Sequence, residues 1–78
     1  MTKEELKACE KVMREGIRAA ECSLDEFYEA FYEKDPIIKK TKELKGQDHL
    51  GYAEGINQVL ATIGFKHPDM ETLWKLIK

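Results

Sequence analysis

Apolar residues recur every three or four positions along the first twenty residues of the chain, with charged residues between them. This spacing places the apolar residues on one face of an α-helix. Thr2 and Glu5 open the stretch with the T-x-x-E spacing of a capping box, in which two side chains bind free N–H groups at a helix start. We therefore predict a first helix that begins at Thr2, with an apolar face of Leu6, Cys9, Met13, Ile17 and Ala20.

Two further start signals divide the middle of the chain. Ser23 opens an S-x-x-E capping box, which predicts a second helix from Ser23 to about Lys34. Asp35 precedes Pro36, where the helical conformation is disfavoured, and an aspartate is itself a good helix cap. A third helix is therefore predicted to begin at Pro36 and to end at Gly46.

The last third of the chain predicts a longer helix and then a short one. Apolar residues at helical spacing run from Asp48 to Ile63, and Gly64 then stops the helix in a left-handed conformation. Phe65 is expected to fold back onto Leu60, the contact that accompanies this kind of helix end. The final short helix has an apolar face of Met70, Leu73, Trp74 and Ile77.

No segment alternates apolar and polar residues as a β-strand does. We predict a single all-α domain over residues 1–78, a compact small bundle of four to five helices. The number depends on whether the third and fourth helices are continuous. The expected core consists of Leu6, Met13, Ile17, Phe27, Phe31, Ile56, Val59, Leu60, Ile63, Leu73 and Trp74.

Charge and hydropathy narrow the classes of partner. The chain has 13 basic and 15 acidic residues and a formal net charge of −2. This balance lacks the positive excess that nonspecific phosphate binding needs, which argues against a nucleic-acid partner. The longest apolar run is three residues, so we expect no membrane span and no membrane partner.

The cysteines indicate a reducing compartment. Cys9 and Cys22 are thirteen positions apart. On one helix that separation is about 20 Å, too far for a disulfide within the chain. Free thiols are typical of the cytoplasm, which is the expected localisation; the alternative is a disulfide between two copies of the chain.

The residues offer poor material for catalysis or metal binding. Ser23 is the only serine and is assigned to a helix cap, and Cys9 belongs to an apolar face. His49 and His67 have no C-x-x-C or H-x-x-x-H spacing around them that would preform a zinc site. We therefore predict no enzymatic activity, no catalytic residues, no metal and no cofactor.

The predicted second helix is unusually rich in aromatic residues. Phe27, Tyr28, Phe31 and Tyr32 are four of the seven aromatic residues of the chain, and one helix face cannot bury all four. We expect Leu24, Phe27 and Phe31 to face the core, and Tyr28 and Tyr32 to lie on a flank that suits a protein interface.

An acidic row, made up of Asp25, Glu29 and Glu33, follows the same helix at four-residue spacing, with steps of about 6 Å between carboxylates. Such a row can engage a basic groove of a partner, although a solvated face is the simpler interpretation. The candidate partner-binding residues are Asp25, Tyr28, Glu29, Tyr32 and Glu33.

Gly51 and Gly55 expose bare backbone on one face of the predicted fourth helix. The simpler interpretation is close packing of another helix within the same chain. The alternative is a groove beside Tyr52 and Glu54, with His49 at its rim, that receives a partner segment. The sequence leaves both open.

A nucleic-acid alternative uses the lysines of the third helix. Lys39, Lys40, Lys42 and Lys45 form a small basic cluster, which as a solvated face needs no ligand. The segment 59–74 partly fits a helix-turn-helix pattern, with an apolar residue and a glycine near the expected turn. A small helix-turn-helix-like nucleic-acid-binding or regulatory protein is therefore the second hypothesis.

The stretch G-Y-A-E-G-I-N-Q-V-L-A-T-I-G-F, together with the length and mixed charge, resembles short helical proteins encoded by phages and prophages. Several of these are inhibitors of host defence, including anti-CRISPR proteins. The resemblance implies a non-enzymatic inhibitor that occupies the surface of a host protein, and it implies no particular site residue. We also expect a small helical chain of this kind to form a homodimer, because association buries more apolar area.

Overall fold

Three helices make up the fold. The computed structural model describes residues 1–78 and contains α1 (Lys3–Tyr32), α2 (Pro36–Thr62) and α3 (Met70–Ile77), with no β-strand. The predicted all-α class is confirmed. The predicted bundle of four to five helices is wrong, because the first two predicted helices form α1 and the next two form α2. None of the three helices has a stretch apolar enough to cross a membrane.

The helix caps predicted at both N-termini are confirmed. The backbone N–H of Glu5 donates to Thr2 Oγ1 at 3.1 Å, and the N–H of Thr2 donates to Glu5 Oε1 at 3.3 Å. Asp35 Oδ1 accepts from the N–H of Ile37 at 2.9 Å, directly after Pro36 enters the helix. These bonds join residues two or three positions apart, so they form as soon as the local chain becomes helical.

The predicted end of α2 is also confirmed. Gly64 has a φ of +79°, and its N–H donates to the carbonyl of Ala61 at 3.1 Å. The N–H of Phe65 donates to the carbonyl of Leu60 at 3.0 Å. These two bonds define a Schellman motif, and they turn the buried side chain of Phe65 toward the same core cluster as Leu60.

The predicted helix start at Ser23 is wrong, because α1 continues through it. Ser23 is only 2% exposed and lies within a seam of covered positions at alternating steps of four and three. A serine cap contributes about 1 kcal/mol, whereas a break here would expose the seam on both sides of it. The seam of α1 consists of Cys9, Met13, Gly16, Ala20, Ser23, Phe27 and Ala30.

The predicted break at Gly46 is wrong for a related reason. The ring of Phe27 lies 3.0 Å from the point where a Cβ of Gly46 would stand. Farther from the turn between α1 and α2, Ile56 Cγ2 lies 2.9 Å from the point where a Cβ of Gly16 would stand. The two contacts show that α1 and α2 are antiparallel, and that each helix has a glycine that receives a large side chain of the other.

The two helices form a hairpin whose closed end is the turn at residues 33–35. The core lies at the opposite, open end, where α3 packs against both helices. Its eight buried members are Met13, Ala19, Ala20, Ala53, Ile56, Leu60, Phe65 and Leu73. Of the predicted core residues, Ile17 and Phe27 are half-buried. Because the molecule is a rod of 50 × 16 × 16 Å, each helix has only one covered stripe. Five predicted core residues are therefore exposed: Leu6, Phe31, Val59, Ile63 and Trp74.

An ion-pair network holds the start of α3 beside α1. Arg14 pairs with Glu10 at 3.1 Å and with Asp69, the residue before α3, at 3.3 Å. The hydrogen bond to Glu10 raises the pKa of the Arg14 guanidinium above its ordinary value. The ring of His67 stacks on that of Phe65 with centroids 5.9 Å apart, and Phe65 is itself buried in the core, so the segment that leads into α3 contacts both the core and α1.

Candidate protein-binding surface

An exposed cluster of three aromatic rings occupies the last two turns of α1, next to the closed end of the hairpin. Tyr28, Phe31 and Tyr32 are 67%, 73% and 64% exposed. The Tyr28 and Tyr32 rings have centroids 4.9 Å apart, and the Phe31 and Tyr32 rings 5.1 Å apart in an edge-to-face arrangement. We call these three residues the aromatic surface.

The exposure of Phe31 corrects the predicted core face of this segment. Phe27 points into the hairpin, where it covers Gly46, and Ala30 closes the last turn of the seam. Phe31 lies one position beyond the seam and Leu24 one position beyond Ser23, so both remain exposed. The seam has helical spacing in the sequence, but several of its members are small residues (alanine, glycine and serine). Such residues do not produce the pattern of large apolar side chains that indicates a core face.

The members of the acidic row differ in their contacts: two of them bind groups of this chain and one does not. Lys42 Nζ of α2 lies 3.3 Å from Glu29 Oε2 and 3.7 Å from Glu33 Oε2. Glu33 Oε1 also accepts the backbone N–H groups of Lys34 and Asp35 at 3.0 and 3.1 Å. Glu33 therefore fastens the turn between the helices, and Glu29 shares its lysine.

Asp25 is exposed and forms no ion pair. Of the five sequence candidates, Tyr28, Tyr32 and Asp25 are thus wholly available on the outer face, Glu29 is available in part, and Glu33 is mainly structural. Residues 22–33 contain four carboxylates and no basic residue, and α2 brings two lysines, Lys42 and Lys45, beside them, so carboxylates remain in excess at this end of α1.

A recess that the sequence did not indicate adjoins the aromatic surface. It has a volume of about 280 Å³ and runs from α1 across to α2. One wall of the recess belongs to α1 and the other to α2, and only the antiparallel pairing of the helices brings them together. For this reason no local sequence pattern predicts the recess. Its lining consists of Phe27, Ala30, Phe31, Lys39, Glu43 and Gln47.

The lysine cluster does not form one basic face. Lys42 is bound to α1 carboxylates, Lys39 lines the aromatic recess, and Lys45 lies beside Asp25 and Glu26. Positions 39, 42 and 45 are about 60° apart in succession around α2, so it is the neighbouring carboxylates, not the spacing, that interrupt the cluster. The cluster therefore offers no continuous track for phosphates.

The geometry of segment 59–74 differs from a helix-turn-helix. Seven residues separate the end of α2 at Thr62 from the start of α3 at Met70, whereas that motif has a turn of about three or four residues. Leu73, at the centre of α3, is completely buried against the hairpin. The partial sequence fit thus corresponds to a helix that completes the core.

Gly51 and Gly55 do not pack against another part of the chain, so the internal-packing interpretation is wrong. Nothing lies within 4 Å of the points where their Cβ atoms would stand. They form instead the floor of an open groove of about 410 Å³. We call this the glycine groove, and its lining consists of Val12, Gly51, Tyr52, Gly55, Ile56 and Val59.

The groups suited to catalysis or metal binding are dispersed. Cys9 and Cys22 are both free and lie on the same helix, about 20 Å apart along its axis. His49 Nδ1 lies 3.5 Å from Glu26 Oε1 and has no hydrogen-bond partner. No group of three His, Cys, Asp or Glu side chains comes together in a way that could hold a metal ion.

Fold and surface together define a helical hairpin, completed by a short docked helix, with exposed aromatic rings at its closed end. No protein-family model, curated protein or solved structure matches the chain.

Proposed function

We propose that this protein is a non-enzymatic protein-binding module whose contact surface is the aromatic surface. The observation that carries the proposal is the combined exposure and mutual packing of Tyr28, Phe31 and Tyr32. Burying a large aromatic side chain stabilises a complex by about 2 kcal/mol, and these residues leave that contribution unused in the free chain. Rings already held by each other also lose little side-chain entropy on binding.

The charges around the rings specify the partner's chemistry. Asp25 and the shared Glu29 give the outer face a negative character, and the recess beside Phe31 is open to a side chain of the partner. A complementary partner has an apolar side chain for the recess and basic residues that face Asp25 and Glu29. Charge complementarity of this kind raises the association rate and selects among partners.

The resemblance to phage-encoded proteins makes a host defence protein the first partner to test. In this proposal the chain acts as an inhibitor in the cytoplasm by covering a surface that the host protein needs. The free thiols on α1 support a reducing compartment.

The test is capture of partner proteins by the tagged full chain from lysates of bacteria that express their defence systems, quantified by mass spectrometry. The matched variants are the double substitution Tyr28→Ala and Tyr32→Ala, and the control Tyr52→Ala. Tyr52 is 55% exposed but lies in the glycine groove on α2, so the control removes a similar ring from another surface.

We expect wild type and the control to capture the same partner protein in equal amounts. The double variant should capture at least about tenfold less of it. Circular dichroism should show that all three chains are equally helical. Equal recovery by the double variant would show that the aromatic surface is not the contact surface.

A further inference from the structure

The molecule exposes more surface than its mass requires. Its accessible surface is 5811 Å², whereas a compact monomer of 9.0 kDa is expected to expose roughly 4,900 Å². Its radius of gyration is 14.5 Å, against about 11.5 Å for a compact domain of this length. The excess of roughly 900 Å² is close to the roughly 800 Å² that each partner buries in a standard interface.

The glycine groove lies on the face of the hairpin that α3 leaves open. Val12 contributes to the groove, and Arg14, which pairs with Asp69 at the start of α3, is two positions further along α1. Two positions correspond to about 160° around a helix, so the groove and α3 occupy opposite faces. One face of the two-helix layer is therefore covered within the chain, at least at its open end, and the other is not.

We infer that the glycine groove binds the same groove of a second copy of this chain, which forms a two-fold homodimer. In a two-fold interface the same surface of both copies is in contact, so a surface with charges of one sign would repel the identical surface of the second copy. The groove has no charged lining residue. The adjoining edge of α1 has both signs, in Glu15 and Arg18, which a two-fold related edge can pair.

The shape of the groove supports helix-on-helix contact. Within the chain, Gly16 and Gly46 already receive Ile56 and Phe27 from the opposite helix. Gly51 and Gly55 are equally bare but empty, and the exposed side chains of Tyr52 and Val59 stand beside them. In the dimer these projecting side chains of one copy enter the space above the glycines of the other, and the two hairpins become a four-helix arrangement.

Sedimentation velocity of the full chain, from low to high micromolar concentration, tests this inference. We expect wild type to reach twice the monomer mass of 9.0 kDa. Gly55→Arg places a charged side chain in the groove, and Val59→Glu places one at its edge, so each should raise the dimer dissociation constant by about tenfold or more. Both positions are open or exposed in the free chain, so circular dichroism and the melting temperature at low concentration should remain near wild type.

The control is Tyr28→Arg, which adds the same charge to the aromatic surface and should leave the dimer intact. A wild-type chain that stays monomeric at high micromolar concentration would overturn the inference, and the groove would then be free for a different chain. Dimers that persist in both groove variants, or that Tyr28→Arg dissolves, would also overturn it. Failure of the dimer and failure of partner capture are distinguishable, because the double variant changes Tyr28 and Tyr32 outside the groove, whereas its control Tyr52→Ala changes the groove itself.

Discussion

The Cγ2 methyl of Ile56 lies 2.9 Å from the point where a Cβ of residue 16 would stand, closer than two carbon atoms can pack. Leu73 Cδ1 reaches within 3.4 Å of the same point. Gly16 is thus the position at which all three helices meet. Because glycine has no side chain, α2 and α3 can approach α1 closely at this position.

A methyl group at this point should therefore destabilise the fold. We expect Gly16→Ala to lower the free energy of unfolding by about 1 to 3 kcal/mol, because the overpacking cost exceeds the gain in helix propensity. Gly51→Ala is the matched control. It has open space for the methyl and should stabilise the monomer by up to about 1 kcal/mol. Thermal melts at low concentration measure both, and equal shifts would contradict the close contact at Gly16.

Substitution of Ser23 distinguishes a continuous α1 from two helices. If Ser23 capped a helix, Ser23→Ala would cost about 1 kcal/mol. In the seam of a continuous helix, we expect no loss of that size, since alanine has the higher helix propensity and fits the same space. Asp35→Ala removes an observed cap and should cost about 1 kcal/mol, which provides the reference in urea unfolding. A larger loss for Ser23→Ala than for Asp35→Ala would favour the broken helix.

Neighbouring residues in α3 should differ sharply in their contribution to stability. Leu73 is fully buried, so Leu73→Ala should cost about 3 kcal/mol. Trp74 is 47% exposed, with the Lys78 ammonium group 4.1 Å from its ring centroid. Trp74→Ala should therefore cost about 1 kcal/mol, well below the loss expected for a core tryptophan. A larger loss for Trp74 than for Leu73, measured by chemical denaturation, would place the tryptophan in the core.

Charge reversal along the acidic row should separate binding from folding at one position and not at another. Asp25→Lys alters an exposed, unpaired carboxylate and should change the unfolding free energy by no more than about 0.5 kcal/mol. Glu33→Lys removes the acceptor of two turn N–H groups and opposes Lys42, so it should cost about 1 kcal/mol or more.

Partner capture should weaken in Asp25→Lys without any change in melting temperature. Full capture by Asp25→Lys would remove this carboxylate from the contact surface. A Glu33→Lys chain that melts like wild type would show that the turn does not depend on Glu33.

Local sequence patterns are sufficient to predict the helix ends that are fixed by hydrogen bonds within a few residues. The cap at Thr2, the Asp35-Pro36 start and the Gly64 stop each depend on hydrogen bonds to residues at most five positions away. Such bonds need no partner from elsewhere in the chain. The all-α class and the exposed pair Tyr28 and Tyr32 follow from helical periodicity in the same way.

Contacts between the helices select which of the remaining local signals end a helix and which do not. Ser23 and Gly46 have the same local character as the true caps, but the opposite helix covers both, so continuing the helix there is worth more than ending it. Phe27 and Phe31 are one turn apart on α1, and Gly46 across the hairpin accommodates only Phe27. The aromatic surface and the glycine groove arise for the same physical reason: a layer of two helices covers one stripe of each and leaves the neighbouring apolar residues in water.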